Sequence, residues 1–141
     1  MEPSDLYWQQ IIQGVIAQHK EKRGLDEAIS LWEGLAVQVV SIVGAGGFNS
    51  LYSRSIFLTQ LAFPWLDTVD HLPQPESRFA QLKKCLEGQT PALARTANSQ
   101  LLVKFIGIIA SIIGDQLTMS ILRLAWGNEV LDAVNKEFKH E

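Results

Sequence analysis

Between Gly34 and Leu66 the chain carries a single charged side chain, Arg54. A second stretch, residues 88–128, contains only four charged residues. Because an unpaired charge is costly in a low-dielectric interior, stretches that lack charge are the ones a chain can bury. We therefore expect these two stretches to form the core, and the more highly charged segments to lie around it.

The composition limits the classes of protein that this chain can belong to. Its 141 residues suit a single domain spanning 1–141, and 47% apolar with 19% charged residues argues against disorder. A net charge of −3 and a pI near 5.6 argue against a nucleic-acid partner. One cysteine excludes an internal disulfide framework, and the acidic, polar start is unlike a signal peptide. We expect a cytoplasmic protein.

Apolar residues recur with the period of a helix along most of the chain, and no segment favours a strand. The expected fold class is an all-α, single-domain bundle of six or seven helices. Two apolar helices, about 30–43 and 91–113, are expected at its centre. The predicted helices cover residues 5–22, 30–43, 47–63, 75–87, 91–113, 115–126 and 129–138.

Capping residues set the predicted helix boundaries. Ser30 to Glu33 has the pattern of a capping box, with Asp26 as an alternative start. Thr90 followed by Pro91 is typical of a helix N-terminus. The apolar run 101–113 is shorter than the roughly 20 residues that a membrane span needs. It therefore predicts a buried helix and no span.

A short internal repeat surrounds two of the glycines. Ser-Ile-Val-Gly at 41–44 and Ser-Ile-Ile-Gly at 111–114 each end a predicted helix, and each precedes a short apolar helix with one arginine. The pattern predicts two related helical hairpins. The ends Leu-Ala-Phe at 61–63 and Leu-Ala-Trp at 124–126 extend the similarity.

The glycines at 44, 46 and 47 partly match the loop of dinucleotide-binding folds. Asn49 occupies the place of the third glycine, and a helix rather than a strand precedes the loop. We interpret this segment as a turn between helices, in which the amides of Gly46 and Gly47 are candidates to hold a small anion.

Arg54 falls between Leu58 and Leu61 on the apolar arc of its predicted helix. The structural interpretations are a buried or half-buried ion pair and an arginine that snorkels from the apolar surface to water, and the functional interpretation is the recognition of an anionic ligand or an acidic partner. Arg123 ends a narrow polar stripe on another helix. The candidate ligand-binding residues are therefore Arg54, Arg123, Gly46 and Gly47.

The titratable residues form no catalytic arrangement, so we expect no enzyme, cofactor or metal. Asp67, Asp70 and His71 read as a solvated loop, and Glu137 with His140 lacks the further ligands of a di-iron bundle. Cys85 reads as a half-buried structural cysteine. His19, at the end of the first helix, leaves phosphotransfer as one alternative function.

The leading functional prediction is a small bacterial regulatory or adaptor domain that acts through protein–protein contact. The main alternative is a helical bundle that binds an anionic or amphipathic ligand. We also expect a homodimer, because the first helix has a strong apolar stripe and the other helices can cover one another. The expected interface residues are Trp8, Ile11, Ile12, Val15 and Trp65.

Overall fold

A computed structural model describes residues 8–14, 24–66 and 79–127. These residues are all-helical and contain no strand, which confirms the all-α fold class. The predicted count of six or seven helices is not confirmed, since this part of the chain forms five and the predicted helix 129–138 lies outside it. The helices are α1 (residues 8–14), α2 (Gly24–Gln60), α3 (Ala80–Glu87), α4 (Pro91–Ile113) and α5 (Asp115–Trp126).

Helix α2 is broken at Gly44 and folds back on itself. Gly44 has φ 85° and ψ 164°, a conformation that is essentially restricted to glycine. Trp32 and Tyr52 are 20 residues apart, which is about 30 Å in a straight helix, yet their ring centroids lie 5.3 Å apart. We call residues 24–43 the first arm of α2 and residues 45–60 the second arm.

The turn between α4 and α5 repeats the break in α2. Gly114 has φ 93° and ψ 157°, close to the angles of Gly44. Each preceding serine donates a hydrogen bond to the carbonyl three residues earlier, Ser41 to Gln38 and Ser111 to Ile108, both at 2.7 Å. The short sequence repeat thus marks a repeated backbone turn.

The similarity does not extend to the two Leu-Ala-aromatic ends. Residues 124–126 lie within α5 and begin ten residues after Gly114, whereas residues 61–63 follow the end of α2 and begin seventeen residues after Gly44. Counted from its glycine, Arg54 corresponds instead to Leu124.

Five aromatic rings join the helices at the centre of the fold. Trp32 contacts the rings of Tyr52, Phe79 and Phe105 at centroid distances of 5.3–5.7 Å, and Phe48 contacts the same three rings at 5.3–6.1 Å. The Trp32 indole also donates a buried hydrogen bond to Asn98 Oδ1 at 2.8 Å. The first arm of α2 and α4 therefore meet in the core, as the charge-poor stretches predict.

Most helix ends lie close to the predicted positions. Thr90 caps α4 by accepting a hydrogen bond from the amide of Leu93, and α5 covers the predicted range. The capping box at Ser30 is wrong, because α2 begins at Gly24 and Ser30 is an exposed residue inside it. The second arm ends at Gln60, four residues before Pro64, and the Gln60 side chain donates to the Leu66 carbonyl across the following turn.

Helix α1 does not offer the predicted dimer interface. Trp8, Ile11 and Ile12 are fully buried within the single chain, where they form part of the core. Trp65 is half-buried against Phe63, with ring centroids 5.9 Å apart, and Val15 lies outside the described residues. The apolar stripe along residues 8–14 is therefore covered by the fold, so helices α2, α4 and α5 do not fill the core by themselves.

Candidate functional site

Arg54 lies on the outside of the molecule. It is exposed on the second arm of α2, and no ion pair or hydrogen bond from it is seen within the part of the chain that the structure describes. The expectation of a buried or half-buried ion pair is therefore not met. Its helix does place apolar side chains beside it, as the spacing predicts, but that face of the helix points outward.

The other candidate ligand residues do not assemble around Arg54. Gly46 is exposed and Gly47 half-buried in the first turn of the second arm, whereas Arg54 lies two turns further along the helix. Arg123 is half-buried near the end of α5. No contact between Arg54 and Arg123 is seen in the described ranges, so these residues show no common anion site there.

Large hydrophobic side chains are exposed on the helices that were expected to cover one another. Eight such residues are exposed in the described part of the chain, and they belong to α2, to the turn that follows it, to α4 and to α5. The set is Val37, Ile42, Phe57, Leu61, Leu93, Ile112, Leu117 and Leu124. An apolar exterior of this kind is typical of a binding surface when its members are adjacent.

Two of these exposed residues lie close in sequence to the exposed Arg54. Phe57 follows Arg54 by three residues on the second arm of α2, and Leu61 is the first residue of the turn after that arm. Phe57 is 60% exposed and Leu61 is 78% exposed. We call these three residues the outer face of α2.

The sequence places Arg54 in an apolar arc, which we expected to face the core, whereas Arg54 and Phe57 in this arc face outward. An arginine inside an apolar arc can be buried with a partner, or it can mark an arc that faces outward. The arc opposite it holds Phe48, Ser55, Ile56 and Thr59, which are all buried. The hydroxyls of Ser55 and Thr59 can be buried there because each donates a hydrogen bond to the backbone carbonyl four residues earlier.

Titratable groups give no second candidate site in the described ranges. No group of three or more His, Cys, Asp or Glu side chains lies together there.

Burial, with a smaller contribution from the nearby Cys85 thiol, raises the pKa of the Tyr52 phenol well above its ordinary value. Tyr52 is therefore a neutral core residue. His19, His71, Asp67, Asp70, Glu137 and His140 lie outside the described residues.

Two helices are long and apolar enough to cross a membrane, Ala28–Gln60 and Pro91–Ile113. This is weak evidence, since buried core helices pass the same test. The first is interrupted at Gly44, which divides it into the apolar pieces 28–43 and 45–60, and each piece is shorter than the roughly 20 residues that a span needs. In the second, 56% of the most apolar 18-residue window is buried in the fold, against 28% in the first. The absence of a membrane span stays a prediction.

No protein-family model, no curated protein and no solved structure matches this chain. The bacterial source, the cytoplasmic location, the homodimer and the lack of catalysis stay predictions.

Proposed function

We propose that this chain is a non-catalytic interaction domain, of the regulatory or adaptor kind, that binds a protein partner through the outer face of α2. The observation that carries the proposal is the exposure of Phe57 and Leu61 beside Arg54. A helix face that remains in water usually carries charged and polar side chains. Here two large apolar groups occupy the face instead.

The burial of α1 supports the choice of this surface. With Trp8, Ile11 and Ile12 inside the fold, the first helix has no apolar stripe left to offer along residues 8–14. The exposed Phe57 of the second arm and Leu61 in the turn after it are proposed to take that role. Aromatic and arginine side chains are also the residue types that dominate binding energy at protein interfaces.

The ligand-binding alternative has less support. A bundle that holds an anionic amphiphile would need Arg54 at the mouth of an apolar cavity, whereas Arg54 and its apolar neighbours point outward. The phosphotransfer alternative depends on His19, outside the described residues, and stays a prediction.

Site-specific photocrosslinking in the producing cell tests the proposal. A photoreactive amino acid at position 57 should give a protein adduct of one defined mass. The same group at Ser30, an exposed polar position on the first arm, should give none. An adduct of twice the chain mass identifies a second copy as the partner. Equal labelling from both positions, or no protein adduct from position 57, would overturn the proposal.

A folding control accompanies the crosslinking. Phe57→Ser should change the free energy of unfolding by no more than about 0.5 kcal/mol, because the side chain is mostly in water. A loss of binding in this variant then reports on the surface and not on the fold.

A further inference from the structure

Helix α2 folds back on itself through a single residue. Gly44 alone departs from helical angles, and the chain is helical on both sides of it. Nothing lies within 4 Å of a Cβ atom added at Gly44, so no other element packs against this side of the turn. Glycine can also adopt helical angles without a steric penalty. A rotation at this one residue therefore joins the two arms into a continuous helix of 37 residues, about 55 Å long.

Opening the turn separates contacts that hold the core together. The Trp32 ring on the first arm contacts Tyr52 on the second arm, and its indole donates to Asn98 on α4. Gly34, also on the first arm, lies against Ala125 of α5. A second open copy supplies the same partner residues in the same geometry. Exchange of an identical element between two copies is for this reason a low-cost route to a dimer.

The two glycine turns lie toward the same end of the molecule. Trp32, twelve residues before the break in α2, bonds to Asn98. Phe48, just beyond that break, contacts Phe105, which is seven residues further along α4. The contacts therefore advance along α4 toward its own glycine turn as they approach the break in α2.

This end of the molecule exposes apolar side chains and carries little charge. Ile42 is 48% exposed and Ile112 is 61% exposed, each two residues before its glycine. Residues 34–53 have no charged side chain, and residues 105–122 have one, Asp115. When two copies exchange their first arms, the continuous helices cross at residue 44 and bring this end of one copy against the same end of the other. A second copy then covers the exposed isoleucines.

We propose that Gly44 is the hinge of a domain-swapped dimer, in which the first arm of each copy packs against the second arm, α4 and α5 of the other. Gly44 suits this role better than Gly114. Ala45 and Gly46 follow it, and their small size lets two helices approach where they cross. Asp115 follows Gly114, and two copies of this carboxylate would repel each other there. The exchange does not depend on the partner proposed for the outer face of α2.

Refolding from urea over a series of protein concentrations, followed by light scattering, tests the hinge. Gly44→Ala should raise the dimer association constant about a hundredfold or more, because alanine disfavours the turn and favours the helix in both copies. Gly46→Ala is the matched control and should leave the constant unchanged, since residue 46 is helical in both forms. Ala45→Pro should give monomer alone, because proline is accepted in the first turn of the second arm and breaks a continuous helix.

Spin labels distinguish arm exchange from any other dimer. Ser30 and Ser53 are exposed on the two arms, and both are changed to cysteine in a Cys85→Ser background. The labelled chain is diluted into excess unlabelled chain, so that only the distance within one chain is measured. In the dimer this distance should be about 35 Å, the length of 23 helical residues, and in the monomer it should be the shorter distance of the folded-back arms.

Each outcome decides for or against the hinge. A dimer that keeps the folded-back distance would overturn the proposal, and so would a Gly44→Ala variant that associates no more strongly than wild type. If Gly44→Ala fails to fold, the wild type and Ala45→Pro still give the answer. Wild-type protein refolded at high concentration should then contain a dimer fraction that Ala45→Pro lacks, and equal fractions in the two would contradict the exchange.

Discussion

Gly34 lies at a close approach between α2 and α5. A Cβ atom added there would lie 2.8 Å from the backbone carbonyl oxygen of Ala125, which cannot move without moving α5. The neighbouring Trp126 indole donates to the Leu31 carbonyl at 3.0 Å, so the same contact also carries a hydrogen bond. We expect Gly34→Ala to destabilise the fold by about 1–3 kcal/mol, in the range of other overpacking changes.

Gly46→Ala is the matched control for Gly34→Ala. Gly46 is helical and exposed, and nothing lies within 4 Å of an added Cβ. In that setting alanine should stabilise the helix by about 0.5–1 kcal/mol. Urea unfolding of both variants measures the effects. Stabilisation by both would show that α5 does not pack closely on Gly34.

The buried bond between Trp32 and Asn98 is a second residue-scale feature that can be tested. Trp32→Phe keeps most of the ring packing but leaves the Asn98 side chain without its donor, and should cost about 1–3 kcal/mol. Asn98→Leu should cost a similar amount by leaving the indole N–H unpaired. If the bond is made, the double variant should cost less than the sum of the two single variants in urea unfolding. Additive costs would contradict the pairing.

At the scale of the element, the two glycine breaks determine how the chain folds back on itself. Gly44 and Gly114 both have positive φ with extended ψ, and an L side chain there is strained. We expect Gly44→Ala and Gly114→Ala each to cost about 1–3 kcal/mol, although neither added Cβ would meet another atom. Gly46→Ala serves again as the control, because it lies in the same segment with ordinary helical angles. A neutral or stabilising Gly44→Ala would mean that α2 can extend through residue 44.

The helices themselves could be predicted from the sequence, because their boundaries depend on local chemistry. Thr90 and Pro91 start α4, and Gly44 and Gly114 provide conformations that other residues avoid. The capping pattern at Ser30 predicted the wrong start for α2, because a local pattern does not show that the preceding residues are already helical. Local patterns therefore placed most elements and failed where a neighbouring turn of helix decided the boundary.

The orientation of each apolar face could not be predicted, because it depends on which helices compete for the interior. The stripe on α1 and the arc around Arg54 are both apolar in sequence. Only packing shows that the first is buried and that Phe57 and Leu61 on the second are exposed. The candidate site therefore lies on α2, whereas the sequence predicted an interface on α1.

At the scale of the whole molecule, α1 completes the core and α2 is left partly uncovered. A charge at position 12 should therefore disrupt the fold of the single chain and not only an interface. Ile12 is fully buried, so Ile12→Glu should lower the free energy of unfolding by about 3–5 kcal/mol, as other uncompensated buried charges do. It should do so at every protein concentration, because the lost contacts lie within one chain. Gln13→Glu, an exposed neighbour on the same helix, should be close to neutral. Urea unfolding with light scattering on the same samples measures both quantities. An Ile12→Glu variant that keeps its stability and only changes its oligomeric state would return α1 to the surface, and the apolar face of α2 would then lose its claim to be the interface.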